Sequence, residues 1–117
     1  MEKQRITQSF KHAFQGIWAS LCGERNLKIH LGAAIIALFM VWWLKLDANA
    51  TVLVILVIAG VFALELLNTA IEAVIDLISP EYHPLAKQAK DAAAGAVLIM
   101  AVAAVAVGYI LFVYKSP

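Results

Sequence analysis

Four polar side chains share one face of a predicted helix in the segment ELLNTAIEAVID, which covers residues 65–76. They are separated by three, four and four positions: Glu65, Asn68, Glu72 and Asp76. At 3.6 residues per turn these side chains lie within an arc of roughly 80°. Carboxylates in such a stripe can accept a proton from a reacting hydroxyl or hold a hard cation such as Mg²⁺. The spacing therefore indicates acid–base or metal-binding chemistry.

The polar stripe directly follows a charge-free run, residues 48–64. At 1.5 Å per residue, the helix from Ala48 to Glu65 is roughly 25 Å long. We therefore expect Glu65 near the boundary of a ~30 Å hydrocarbon core, with Asp76 closer to water. An ionisable group at such a depth is a candidate functional residue. For Asp76, the alternative of a merely solvated helix end stays open.

The elements that must position the stripe are predicted to be membrane helices. The chain has 117 residues, of which 63% are apolar, and its mean hydropathy is +0.85. Soluble domains are closer to half apolar. We predict an all-α membrane protein with a single domain over residues 1–117, an N-terminal arm over 1–27 and transmembrane helices over 29–46, 48–78 and 92–114.

The N-terminal arm is predicted to form an amphipathic surface helix. Apolar residues recur at spacings of three and four between Ile6 and Leu21, which is typical of a helix lying in the headgroup layer. The alternative is a helix packed on its own chain. With three spans, this arm and the polar link over residues 79–91 share one side of the membrane. Seven of the nine basic residues lie there, which predicts a cytoplasmic N-terminus: Lys3, Arg5, Lys11, Arg25, Lys28, Lys87 and Lys90.

The overall charge and the cysteine content exclude several classes of protein. A net charge of +1 without a basic patch argues against binding to nucleic acid. The single cysteine, Cys22, excludes an internal disulfide framework. The sequence contains neither a GxxxxGK[ST] motif nor a kinase-type glycine-rich loop. Any phosphoryl transfer must therefore use a different phosphate-binding arrangement.

Acids and cations gather at the predicted cytoplasmic face. Glu24 and Arg25 precede the first span, and Lys90 and Asp91 precede the third. Carboxylates can hold a metal ion while cations neutralise the phosphates of a nucleotide. Mixed charges also describe any solvated surface next to a membrane, so charge alone leaves both interpretations open.

Two stretches together resemble a known family. The segment over residues 65–76 and the segment EYHPLAKQAKDAAAGAVLI over residues 81–99 resemble the small bacterial integral-membrane diacylglycerol kinase and undecaprenol kinase family. The resemblance covers nearly the whole chain. It implies a bacterial cell-membrane enzyme that uses ATP and Mg²⁺ to phosphorylate a lipid alcohol, as a homotrimer with shared active sites. Self-association agrees with a polar stripe that three helices cannot easily hide from lipid.

The resemblance also implies a role for each candidate site residue. Glu65 matches the catalytic base, which accepts the proton of the lipid's primary hydroxyl. Glu24 and Glu72 match magnesium-binding acids, and Asn68 and Asp76 match polar residues that support the site. His12 stands where the diacylglycerol branch often has an aromatic residue. The positions matched to nucleotide contacts are Arg5, His12, Glu24, Glu72, Glu81, Tyr82, His83, Lys90 and Asp91.

The stretch ERNLKIH, residues 24–30, resembles the Gram-positive branch, whose members prefer undecaprenol. We therefore expect undecaprenyl phosphate as the product, with phosphorylation of diacylglycerol as the alternative. Two other classes are a proton or cation path and a structural assembly protein. A path needs acids spread through the membrane depth, and residues 48–64 and 92–114 contain none. A structural role leaves Glu65 and Asn68 unexplained.

Overall fold

The structure is a computed structural model that describes residues 2–114, which are helical apart from three short connections. Of these helices, three are each long and apolar enough to cross a membrane: Arg25–Trp43, Ala48–Ile78 and Pro84–Tyr114. The predicted all-α fold with three spans is therefore confirmed. The elements are α1 (Glu2–Gly23), α2 (Arg25–Trp43), α3 (Ala48–Ile78), α4 (Pro84–Tyr109) and a terminal π-helix (Ile110–Tyr114).

The helices pack around α3, which has its most extensive contact with α4 and a smaller one with α2. A small buried cluster lies near the α2–α3 turn and consists of Val41, Ala50, Val54 and Leu111. Most large apolar side chains outside this cluster are exposed, including Ile36 and Leu56. Such a surface is suited to lipid or to neighbouring chains rather than to water.

α3 packs closely against α4 at Gly60. A Cβ atom built on Gly60 would lie only 2.7 Å from Cε of Met100. The missing side chain of Gly60 thus makes room for the Met100 thioether. Small residues allow this kind of close helix contact in membrane proteins.

The α2–α3 turn combines two helix-capping devices. Lys45 has a left-handed φ of 54°, and its N–H donates to the Trp42 carbonyl while the Leu46 N–H donates to the Val41 carbonyl. This is a Schellman motif, in which glycine is the usual left-handed residue. Asp47 then caps α3, since its Oδ1 accepts a hydrogen bond from the Ala50 N–H at 2.9 Å. The turn therefore fixes the antiparallel hairpin.

The apolar face of α1 points away from the protein. Ile6, Phe10 and Phe14 are 59%, 64% and 69% exposed. These side chains are therefore not packed on the chain's own helices. This exposure suits a helix that lies on a membrane surface.

The facing ends of α3 and α4 extend beyond a bilayer core. The 31 residues of α3 correspond to about 46 Å, which exceeds a ~30 Å core by about 16 Å. Only residues 79–83 separate α3 from α4. The helix that contains the predicted third span begins at Pro84, because proline is favoured in the first helical turn. Much of the polar link over residues 79–91 is thus helical and forms a hairpin with the end of α3.

Candidate functional site

Glu65 is the one buried charged side chain in the part of the chain that the structure describes, with only 3% of the residue exposed. It lies on α3 and is the residue of the polar stripe that directly follows the uncharged run. Its Oε1 is 3.5 Å from Nε2 of His30 on α2. Burying a carboxylate is costly without such a partner. The structure thus places the predicted base at a protected position, next to an imidazole.

His30 was not among the predicted site residues. It is the only ionisable side chain between Ile29 and Leu44. That isolation within an apolar run was the available signal, because an ionisable residue in a membrane segment is a functional candidate. The sequence alone does not indicate which residue of α3 it meets.

Asn68 and Glu72 form the next part of the stripe, one helical turn apart. The Asn68 Nδ2 donates to Oε1 of Glu72 at 3.2 Å. This bond uses one donor of the amide and holds the carboxylate. The Asn68 Oδ1 is buried and has no hydrogen-bond partner among the described residues. An amide oxygen and a carboxylate side by side are ligands of the kind that hard cations prefer.

The residues present fit a magnesium ion held partly by substrate. The described residues contain no cluster of three or more His, Cys, Asp or Glu side chains that could hold a metal. Mg²⁺ needs no such cage, since it usually binds one or two carboxylates and completes its shell with water and phosphate oxygens. Glu72 and the orphaned Asn68 oxygen meet that requirement on α3.

Glu24 occupies the break between α1 and α2. Its backbone is extended, with φ −109° and ψ 120°, and its side chain makes no capping hydrogen bond to α2. The half-buried carboxylate is therefore not consumed by helix capping. This leaves Glu24 available for the metal-binding role that its sequence context predicts.

Two ion pairs organise the projecting hairpin. Lys90 on α4 contacts Asp76 on α3, and Lys87 contacts Asp91 one turn away on α4. The first pair joins two predicted site residues from different helices. A lysine ammonium has three donors, so the Asp76 contact leaves Lys90 further capacity to bind phosphate oxygens.

The α3–α4 connection holds Glu81, Tyr82 and His83, all exposed. His83 caps α4, because its Nδ1 accepts a hydrogen bond from the Leu85 N–H at 3.1 Å. In the neutral imidazole the proton is then on Nε2, which makes that nitrogen a hydrogen-bond donor. Such a donor at a helix N-terminus suits an anionic group.

Arg5 and His12 lie on α1 and are exposed. No hydrogen bond or ion pair joins either side chain to another residue that the structure describes. The single chain therefore does not bring them to the α3 stripe through a polar contact. Their predicted nucleotide contacts remain predictions.

An apolar groove opens beside the Glu65–His30 pair. It has a volume of about 210 Å³ and is lined by α2, α3 and α4, with residues such as Ala34, Val61 and Val105. His30 is the only polar side chain in the lining. The site therefore combines a protected carboxylate, a stripe of carboxylate and amide oxygens, cations and an adjoining apolar space. Together these can activate a hydroxyl carried by an apolar molecule.

Comparisons with known proteins give matches over most of the chain. The profile of the family described as prokaryotic diacylglycerol kinase matches residues 11–112. The undecaprenol kinase of Bacillus subtilis (strain 168) is 46% identical over 114 residues, which cover 97% of this chain and 93% of that protein. The diacylglycerol kinase of Escherichia coli (strain K12) is 38% identical over 101 residues, which cover 86% of this chain and 83% of that protein.

A third relative, the diacylglycerol kinase of Synechocystis sp. (strain PCC 6803), is 45% identical over 101 residues, or 86% of this chain and 58% of that protein. The family profile covers all three apolar helices and the polar stripe on α3, and each relative covers most of the chain. The chain therefore belongs to the prokaryotic diacylglycerol kinase family.

Proposed function

We propose that this lipid kinase transfers the γ-phosphoryl group of ATP to the primary hydroxyl of undecaprenol and so forms undecaprenyl phosphate. The observation that carries the proposal is the buried Glu65 carboxylate, which contacts the groove-lining His30 and begins the polar stripe of α3. A polyprenol has one hydroxyl on a long hydrocarbon chain. A protected base beside an apolar space matches that chemistry.

The similarity to the Bacillus subtilis undecaprenol kinase over nearly the whole chain favours undecaprenol as the acceptor. The stretch from Glu24 to His30 also favours undecaprenol, because it resembles the Gram-positive branch of the family. The diacylglycerol kinase of Synechocystis has a similar identity to this chain. Diacylglycerol is therefore the second candidate acceptor, with phosphatidic acid as its product.

Glu65 accepts the hydroxyl proton as the acceptor oxygen attacks the γ-phosphorus in line. Glu72 and Glu24 would hold Mg²⁺, with Asn68 keeping the Glu72 carboxylate in place. Bound Mg²⁺ would neutralise charge on the nucleotide phosphates. Lys90 adds charge-assisted donors to the same phosphates.

The remaining nucleotide contacts come from the α3–α4 connection, from the start of α4 and from α1. Tyr82 and Glu81 are exposed for contact with the nucleoside, and Asp91 shares the first turns of α4 with Lys90. Arg5 and His12 would reach the phosphates from α1. Because neither Arg5 nor His12 makes a polar contact with the described residues of the stripe, a neighbouring chain is the more direct source of these contacts.

We infer a homotrimer in the bacterial cell membrane, with the N-terminus in the cytoplasm. The excess of basic residues on one side supports this orientation. The exposed apolar surface of α2, α3 and α4 supports burial in lipid and against other chains. Crosslinking in detergent followed by mass measurement should give a species of three chains; a strictly monomeric active enzyme would contradict shared sites.

A direct assay tests the proposed activity. Purified protein in detergent is incubated with labelled ATP, Mg²⁺ and either undecaprenol or a short-chain diacylglycerol, with a reaction without lipid and one with a chelator as controls. We expect label in undecaprenyl phosphate, with a higher kcat/KM for undecaprenol than for diacylglycerol. The opposite ratio would assign diacylglycerol as the substrate, and label in neither lipid would reject the kinase assignment.

A further inference from the structure

We propose that His30 is a positioning residue for the catalytic base: it holds Oε1 of Glu65 so that Oε2 faces the acceptor hydroxyl at the polar end of the apolar groove. This inference rests on the proposed function and assigns a role to a residue that the α3 motif does not contain.

The Glu65 carboxylate has a single ion-pair partner among the described residues. Its side chain is 5% exposed, and the imidazole of His30 is the one cationic or potentially cationic group within ion-pair distance among the described residues. A buried carboxylate without hydrogen-bonding or charged neighbours is strongly disfavoured. The 3.5 Å approach of His30 Nε2 to Oε1 is the one contact of this kind that the described residues give the carboxylate, and it restricts the rotation of the Glu65 side chain.

His30 lies on a different helix from the polar stripe. It belongs to α2, whereas Glu65 and Glu72 belong to α3, so the His30 contact fixes the base relative to a second helix. The His30 side chain is 25% exposed and also lines the groove. One imidazole thus contacts the base and borders the space beside it.

The lining of the groove is suited to a hydrocarbon chain. Its lining runs along α3 from Val54 to Phe62, or about 12 Å of helix, and apart from His30 it contains only apolar side chains and glycine. A hydrocarbon chain bound there would place an attached hydroxyl at the His30 end, next to Glu65. We therefore assign the groove to the hydrocarbon chain of the acceptor alcohol.

In the transfer step, the acceptor O–H bond breaks and its proton passes to Oε2 of Glu65. The acceptor oxygen forms a bond to the γ-phosphorus, and the bond from that phosphorus to the bridging oxygen of ADP breaks. ADP leaves with the electron pair. His30 makes and breaks no bond in this step, since it acts by holding Oε1.

The test compares His30→Ala with His30→Gln. Loss of positioning in His30→Ala should lower kcat about 10- to 100-fold, with KM for ATP within about two-fold of wild type because the nucleotide contacts are unchanged. In His30→Gln the side-chain amide can donate a hydrogen bond to Oε1 from the same position, so we expect recovery of most of the lost kcat. Asn26→Ala, an exposed change one turn earlier on α2, is the matched control and should retain wild-type kcat.

A double variant separates positioning from general stability. In a Glu65→Gln background, adding His30→Ala should cause no further loss of residual turnover, because the group that His30 positions is already absent. The inference would be overturned by an unchanged kcat in His30→Ala or by a folded His30→Gln variant that does not recover kcat. Additive losses in the double variant would also overturn it. Wild-type turnover is measured in parallel: an inactive wild type refutes the proposed function, whereas an active wild type with unaffected His30 variants refutes this inference alone.

Discussion

Nζ of Lys90 on α4 contacts Oδ1 of Asp76 on α3, fourteen positions earlier in the chain. The pair joins the two helix ends that project beyond the apolar spans. Its side chains are 39% and 66% exposed, and an exposed ion pair contributes at most about 1 kcal/mol to stability. The contact therefore serves mainly to hold the Lys90 ammonium beside the polar stripe that carries Glu72.

This relationship predicts different effects for its two partners. Lys90→Met removes a donor to the phosphates and should raise KM for ATP about ten-fold or more, since a charge-assisted hydrogen bond contributes roughly 1.5–3 kcal/mol. Asp76→Asn keeps the ammonium and should change KM for ATP much less. Steady-state kinetics that give KM for ATP in Lys90→Met and in Asp76→Asn test this difference. Equal effects would show that the lysine acts only through the ion pair.

Asn68 should control the metal dependence of the reaction. Asn68→Ala removes the hydrogen bond to Glu72 and an amide oxygen, and should raise the Mg²⁺ concentration for half-maximal activity about ten-fold or more. Thr69→Val is the matched control, because the buried Thr69 hydroxyl also has no described partner and its removal should be nearly neutral. A magnesium titration that is the same for Asn68→Ala and wild type would exclude Asn68 from the metal site.

The left-handed backbone of Lys45 should be a source of strain. Lys45→Gly relieves it and should raise the free energy of unfolding by about 1 kcal/mol. Lys45→Ala removes the same charged side chain without relieving the strain and should not stabilise the protein. Thermal unfolding in detergent, followed by tryptophan fluorescence, compares the two. If alanine stabilises as much as glycine, the effect belongs to the lost charge.

Gly60 should tolerate only a small side chain. The atom that a new Cβ would meet is the flexible end of Met100, so Gly60→Ala requires only a rotamer change and should cost less than about 1.5 kcal/mol. Gly60→Leu cannot be accommodated by Met100 alone and should separate α3 from α4, with loss of thermal stability and of activity. A leucine variant with wild-type stability would contradict the close packing.

Much of the fold could be predicted from the sequence because bilayer physics is simple. The uncharged runs around residues 48–64 and 92–114 predict helices, since lipid admits only helices and closed barrels and these runs are longer than barrel strands. The spacing of Glu65 and Glu72 likewise determines a common face once a helix is assumed. The start of α4 at Pro84 was harder to predict, because charge marks the edge of the bilayer but does not end a helix.

The contacts between helices could not be predicted in the same way. Periodicity relates residues on one helix, whereas the contacts of Glu65 with His30 and of Asp76 with Lys90 depend on how α2, α3 and α4 pack. The α1 residues Arg5 and His12 show the same limit. Their proposed contacts depend on how neighbouring chains assemble, which single-chain periodicity does not encode.

The most direct measurement of the central claim is the turnover of Glu65→Gln. Glutamine preserves the size of the side chain but cannot accept the hydroxyl proton, so transfer from labelled ATP to undecaprenol should fall about 10²- to 10⁴-fold. Oligomer mass and ATP affinity should match those of wild type. Turnover within a few-fold of wild type in this variant would contradict the assignment of Glu65 as the base.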